Sequence, residues 1–115
     1  MNHPSRLTQR KDETLSHLAA LGPMRKGSLT EQYVEVTLKD GSRSRRGPYT
    51  LYTCKDDGKT LSRRLKSEAE VALYREQIAA FRRFQELTGE LARIGRTLAD
   101  LEVEDPEGSK KNSRN

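Results

Sequence analysis

The chain has one cysteine, Cys54, and no tryptophan among 115 residues. A lone thiol excludes an intrachain disulfide, and a cysteine-based zinc site would need a second chain. Aromatic residues make up 5% and hydrophobic residues 32%, so the core must be thin. The two histidines, His3 and His17, lie far from each other and from any acidic pair at ligand spacing. No metal and no cofactor are expected. No apolar run approaches the about 20 residues that span a bilayer, and the first ten residues lack the apolar segment of a signal peptide. No membrane partner is expected, and the chain reads as cytoplasmic. Phosphate loops, nucleophile elbows and zinc-deaminase patterns are missing. Asp56 and Asp57 are adjacent carboxylates that turn chemistry explains. Cys54 has no neighbouring histidine or helix N-terminus to activate it as a nucleophile, and it reads as a small strand residue. A non-enzyme is the expectation.

What is abundant is charge, at 34% of the chain. Basic residues number 22 against 17 acidic ones, for a net charge of +5 and an isoelectric point near 9.6. Acidic partners such as nucleic acid are favoured, and the placement of each sign matters more than the modest excess. Length allows one domain. A loose lead is expected over residues 1–9, a single α+β domain over 10–104, and a disordered basic tail over 105–115.

A short helix should follow the lead, with Leu15, Leu18, Ala19 and Leu21 as its apolar stripe and Gly22-Pro23 as its stop. From Ser28 the apolar period changes to two. Val34, Val36 and Leu38 alternate with Tyr33, Glu35 and Thr37, the pattern of a half-buried strand. Asp40-Gly41 marks a turn, and the polar SRSRR that follows reads as a flexible loop closed by Gly47-Pro48. A second strand is expected from about Tyr49 to Lys55 and a third from about Lys59 to Leu65, joined at Asp57-Gly58. These make a three-stranded antiparallel sheet over about 28–65, which needs a helix on its apolar face.

That long helix is expected over about 67–103. Ser67 and Glu70 have capping-box spacing, and Glu68 and Glu70 suit the positive end of the helix dipole. Val71, Leu73, Tyr74, Ile78 and Phe81 should cover the sheet. Beyond them Ala80, Phe84, Leu87, Leu91, Ile94, Leu98 and Leu101 recur at spacings of four and three, a coiled-coil-like seam. Either the N-terminal helix folds back over this seam, or a second copy or another protein covers it. Phe84, Leu87, Leu91, Ile94, Leu98 and Leu101 are therefore the candidate partner-binding residues.

The candidate nucleic-acid-binding residues are Arg43, Arg45 and Arg46 in the loop, Lys55 and Lys59 around the second turn, and Arg63, Arg64 and Lys66 at the end of the third strand. Guanidinium groups bind phosphate or a guanine edge in bidentate fashion, and lysine supplies a mobile point charge. Alternation puts Thr60, Ser62, Arg64 and Lys66 on one face, which Thr50 and Tyr52 would continue, opposite Leu51, Leu61 and Leu65. A register slip of one residue would reverse the grouping. Tyr49 and Tyr52 suit base stacking as well as sheet packing. An ordinary solvated basic face has the same pattern, whereas an anionic membrane surface would call for the cations on an apolar-faced helix.

Residues 47–81, with an aromatic strand, a D-G-K turn, a basic strand and a helix opening with S-E-A-E, resemble the N-terminal DNA-binding modules of phage-type tyrosine recombinases. That resemblance implies a sheet presented to DNA; the catalytic recombinase domain has no counterpart here. Gly27-Ser28-Leu29, Gly47-Pro48-Tyr49, Gly58-Lys59-Thr60 and the FRRFQEL segment at 81–87 resemble an uncharacterised family of small bacterial proteins associated with transposases and other mobile elements. Many members carry a cysteine cluster before a His-Gly-Pro-Tyr corner. This chain has no cysteine over 37–46, and Arg46 stands where the histidine would fall. The resemblance implies a mobile-element setting and supplies no activity of its own; the partners expected from the cations and the seam are nucleic acid, DNA above all, or a transposase-like protein or a second copy.

Overall fold

The computed structural model describes residues 4–105. Its elements are α1 (Pro4–Ala19), β1 (Ser28–Thr37), β2 (Arg43–Asp56), β3 (Lys59–Leu65) and α2 (Glu68–Glu104). The class is α+β, as the sequence pattern implies, with an antiparallel sheet in the order β1-β2-β3. The described residues gather into two compact units, 22–82 and 4–21 with 83–105. Of the basic tail expected over 105–115, all but Asp105 lies outside the described residues.

In the sheet unit, the β2–β3 hairpin closes on Asp57 (φ 50°) and Gly58 (φ 76°), with Asp56 opposite Lys59. Two successive positive φ angles make the two-residue turn whose twist matches the strands. Ser67 caps α2 as expected: its Oγ accepts the Glu70 N–H at 3.0 Å, and Glu70 Oε1 accepts the Lys66 N–H at 3.1 Å. The core consists of Tyr52, Leu65, Tyr74 and Ile78, with Leu29, Cys54 and Val71 packed around it. Tyr52 and Tyr74 meet edge to face at 5.0 Å. Arg25 lies 4.1 Å from the Tyr74 ring centroid and donates to Gln77 Oε1 at 2.8 Å, fastening the segment before β1 to α2. Leu73, expected to cover the sheet, is 52% exposed.

The expected flexible loop over SRSRR is strand from Arg43 onward. Arg43 to Arg46 pair with β1, and the connection shrinks to residues 38–42. Its turn is internally bonded, since Leu38 donates to the Ser42 carbonyl at 2.7 Å and Asp40 Oδ1 accepts both the N–H and the hydroxyl of Ser42. Those two bonds hold the Asp40 carboxyl below the usual carboxylate range. A β-bulge allows the pairing: Gln32 faces Tyr49 and Val34 faces Arg46, which leaves Gly47 and cis Pro48 opposite Tyr33 alone. Gly47 has φ 127°, and a Cβ there would stand 2.9 Å from the Gln32 carbonyl oxygen. Only glycine fits so close to the neighbouring strand.

In the second unit, α1 starts at Pro4, inside the stretch expected as a loose lead. Proline suits a first helical turn, where its missing N–H would have no acceptor. The buried face of α1 is also displaced from the expected stripe. Leu7 and Thr14 are buried, whereas Leu15 is 43% exposed. Thr14 can be buried because its hydroxyl donates to the Arg10 carbonyl at 2.8 Å. Leu87 and Ile94 are the buried residues of α2 in this unit, and Arg10 meets Glu90 at 2.7 Å across the helix pair. Two of the candidate partner-binding residues, Leu87 and Ile94, are thus buried within a single chain.

Candidate nucleic-acid interface

Cross-strand partners share a face, so the register sorts every strand side chain. On the covered face Leu29, Tyr52 and Arg63 form one row, and Cys54 with Leu61 and Thr50 with Leu65 form the neighbouring rows. On the open face Ser28, Thr53 and Ser62 align, then Thr30, Leu51 and Arg64, with Lys55 beside Thr60 and Gln32 beside Tyr49.

This sorting corrects the expected grouping by one residue on β2. Thr60, Ser62 and Arg64 do share a face, but Thr50 and Tyr52 belong opposite them, and Leu51 lies on their side. The reason is packing. Tyr52 offers a large ring to Tyr74 and donates its hydroxyl to the Lys26 carbonyl, so burying it satisfies both its apolar and its polar parts. Leu51 brings less area and stays half-buried on the open face. Burial, followed by a hydrogen bond with Cys54, raises the Tyr52 phenol above its ordinary range.

The eight candidate cations separate accordingly. Lys55 and Arg64 stand on the open face, and Arg46, past the bulge, continues it. Arg43, Arg45, Lys59 and Arg63 belong to the other face, while Lys66 follows the end of β3. The neighbours Arg63 and Arg64 therefore have different duties. Arg63 donates to the Tyr74 hydroxyl at 3.3 Å and pairs with Glu70 at 3.4 Å, bracing strand to helix. Arg64 instead lies over the Tyr49 ring, 3.4 Å from its centroid. Arg43 pairs with Glu35 at 3.3 Å, and Arg45 covers Tyr33 at 3.9 Å.

Acidic residues divide unevenly. Glu31, Glu35 and Asp56 all fall on the covered side of the strands, whereas the open face has Lys55, Arg64 and Arg46 and no carboxylate. Between the cations lie hydroxyls (Ser28, Thr30, Thr53, Thr60, Ser62), the Gln32 amide and the Tyr49 ring. Such a face donates hydrogen bonds, attracts anions and offers an aromatic platform already topped by a guanidinium plane. Alternation alone could have found the Arg64 face. The role of Tyr49 became legible only with the register.

Of the seam residues, Leu91, Leu98 and Leu101 are half-buried and Phe84 is 36% exposed. Among the described residues no group of three or more His, Cys, Asp or Glu side chains could hold a metal ion, and no helix is long and apolar enough to cross a membrane. No protein-family model matches the chain, and no curated protein or solved structure matches it.

Proposed function

We propose that the chain is a non-catalytic nucleic-acid-binding protein whose contact surface is the open face of the sheet, acting as an accessory protein of a bacterial mobile element. The observation that carries this reading is the segregation of charge. Every ionised side chain on the open face is a cation, and the three carboxylates of the strands stand on the opposite side. An ordinary solvated face would mix the signs. The polar groups between the cations suit phosphate and sugar oxygens, and so does the Arg64 guanidinium held over Tyr49. The mobile-element setting rests on the sequence resemblance.

The test compares two charge-matched variants. Lys55→Ala with Arg64→Ala empties the open face, whereas Lys59→Ala with Arg63→Ala removes equal charge from the other. Binding to fluorescent nucleic acid, titrated at several salt concentrations, should lose about 0.9 of log–log slope per phosphate contact removed, and only in the first variant. Equal losses in both would defeat the face assignment, and a wild type that binds no nucleic acid at low salt would defeat the reading itself.

A second reading, a protein-interaction adaptor or homodimer working through α2, draws on the part of the seam that stays accessible, namely Phe84 with Leu91, Leu98 and Leu101. Leu91→Lys should then abolish association in light scattering while the sheet stays folded.

A further inference from the structure

We infer that the β1–β2 ribbon beyond the bulge is the element that enters nucleic acid, and that its ligand is the major groove of a B-form DNA duplex. This rests on the nucleic-acid reading of the open face and narrows it to one form. Pairing with β3 covers β2 only from Thr50 to Asp56, whereas pairing with β1 continues to Arg43. The four pairs from Val34–Arg46 to Thr37–Arg43, with the turn at 38–42, form a two-stranded arm without a third strand. At about 3.4 Å per residue it reaches about 14 Å before the turn, against a groove about 8.5 Å deep.

No residue of the arm is part of the core. Tyr33, Val34 and Leu38 are 47%, 42% and 40% exposed, and only Val36 and Ser44 are half-buried. An isolated two-stranded ribbon in water is marginal, and this one is fixed at its base by the sheet and at its tip by the Asp40–Ser42 bonds. Its charge suits a polyanion. Glu35 is engaged with Arg43, and Asp40 is engaged in the turn. Lys39, Arg45 and Arg46 have no carboxylate partner among the described residues.

Shape selects the duplex. Two strands about 5 Å apart, with their side chains, match the about 12 Å width of the B-DNA major groove and exceed the about 6 Å minor groove. In A-form RNA the major groove is too deep and narrow for side chains to read. Charge selects the face. Val34, Val36, Ser44 and Arg46 share the carboxylate-free side that continues the open face. With that side against the base edges, Arg46 meets a guanine edge and Val34 a thymine methyl, and the open-face Arg64 and Lys55 remain for flanking phosphates.

The experiment uses the full chain with a short mixed-sequence DNA duplex, the RNA duplex of the same sequence, and the single DNA strand. Dimethyl sulfate reports the grooves separately, through guanine N7 in the major groove and adenine N3 in the minor. The expected result is a DNA-over-RNA duplex preference of about tenfold or more, the value of one good bidentate base contact, with guanine N7 protected and adenine N3 reactive. Lys39→Ala with Arg46→Ala should lose both the preference and the protection while keeping the wild-type melting curve. The charge-retaining Arg46→Lys should keep the salt slope but lose the protection. Equal affinity for the two duplexes, tightest binding to the single strand, unprotected N7, or an unaltered Lys39/Arg46 variant would each overturn the arm as the reading element. In those cases a loss of affinity in Lys55→Ala with Arg64→Ala would still uphold the open face. A wild type that binds none of the three ligands would overturn both.

Discussion

Removing one oxygen from Tyr52 and one from Tyr74 should have different consequences, although the chemical change is the same. The Tyr52 hydroxyl donates to the Lys26 carbonyl in a core position where the residue is 9% exposed. Tyr52→Phe should cost about 1 kcal/mol, a net intramolecular hydrogen bond. The Tyr74 hydroxyl only accepts from Arg63, whose side chain is 64% exposed and can turn to water. Tyr74→Phe should cost less than about 0.5 kcal/mol. Tyr52→Ala, which also removes the edge-to-face ring contact, should cost about 3–5 kcal/mol. A unit of roughly 60 residues holds only about 3–9 kcal/mol, so this variant should be largely unfolded in mild urea. The assay is built into the chain. There is no tryptophan, and all four tyrosines (33, 49, 52 and 74) fall within Gly22–Arg82, so tyrosine fluorescence follows the sheet unit alone. Alkaline titration adds a signed check. The Tyr52 phenol is raised in the fold above its ordinary value of 10.0, so the unfolded chain loses this proton first. The stabilisation is complete below pH 10 and is lost as pH rises through the folded pKa. Tyr52→Phe should lack that part of the alkaline loss. Equal costs for the two Phe variants, or a neutral Tyr52→Phe, would refute the reasoning.

Three further outcomes follow from the packing. Gly27→Ala should destabilise the sheet unit by roughly 1–3 kcal/mol in urea unfolding, because φ is 138° and its Cβ would stand 2.8 Å from the Thr53 carbonyl oxygen and against the Tyr52 ring. Gly22→Ala, with nothing within 4 Å, should be nearly neutral in the same assay. Leu87→Ala removes a side chain that is 1% exposed and should cost about 2–5 kcal/mol by far-UV circular dichroism, against less than about 0.5 kcal/mol for Val103→Ala at 78% exposure. Ser67→Ala opens the cap of α2 and should lower stability by about 1 kcal/mol in thermal melts.

Local chemistry made much of this fold legible. The Asp57-Gly58 turn, the third strand over Lys59–Leu65 and the Ser67–Glu70 cap each depend on residues close in sequence, and each stands where its pattern put it. What depends on long-range pairing was not legible. SRSRR has no apolar alternation, and its Arg43–Arg46 part is strand through pairing with β1 beyond the bulge at Gly47-Pro48. The same pairing decides which of Leu51 and Tyr52 is buried, and hence which cations stand together. The buried residues of α1 were missed because Leu7 lay within the presumed lead and Thr14 is polar by type, buried through a bond to its own helix. Arg63 and Arg64 looked equivalent as a dipeptide, and only three-dimensional neighbours distinguish a brace from an exposed cation.

The arm beyond the bulge also has a consequence for how such a protein diversifies. Residues 34–46 contribute nothing to the core, and their turn closes on its own bonds. Substitutions there escape the packing constraint that holds Tyr52 or Leu65 in place, and a longer tip would add only slowly growing loop entropy. Selection can therefore rewrite the arm while leaving the scaffold untouched. The same independence makes residues 38–42 the natural place to graft a foreign peptide.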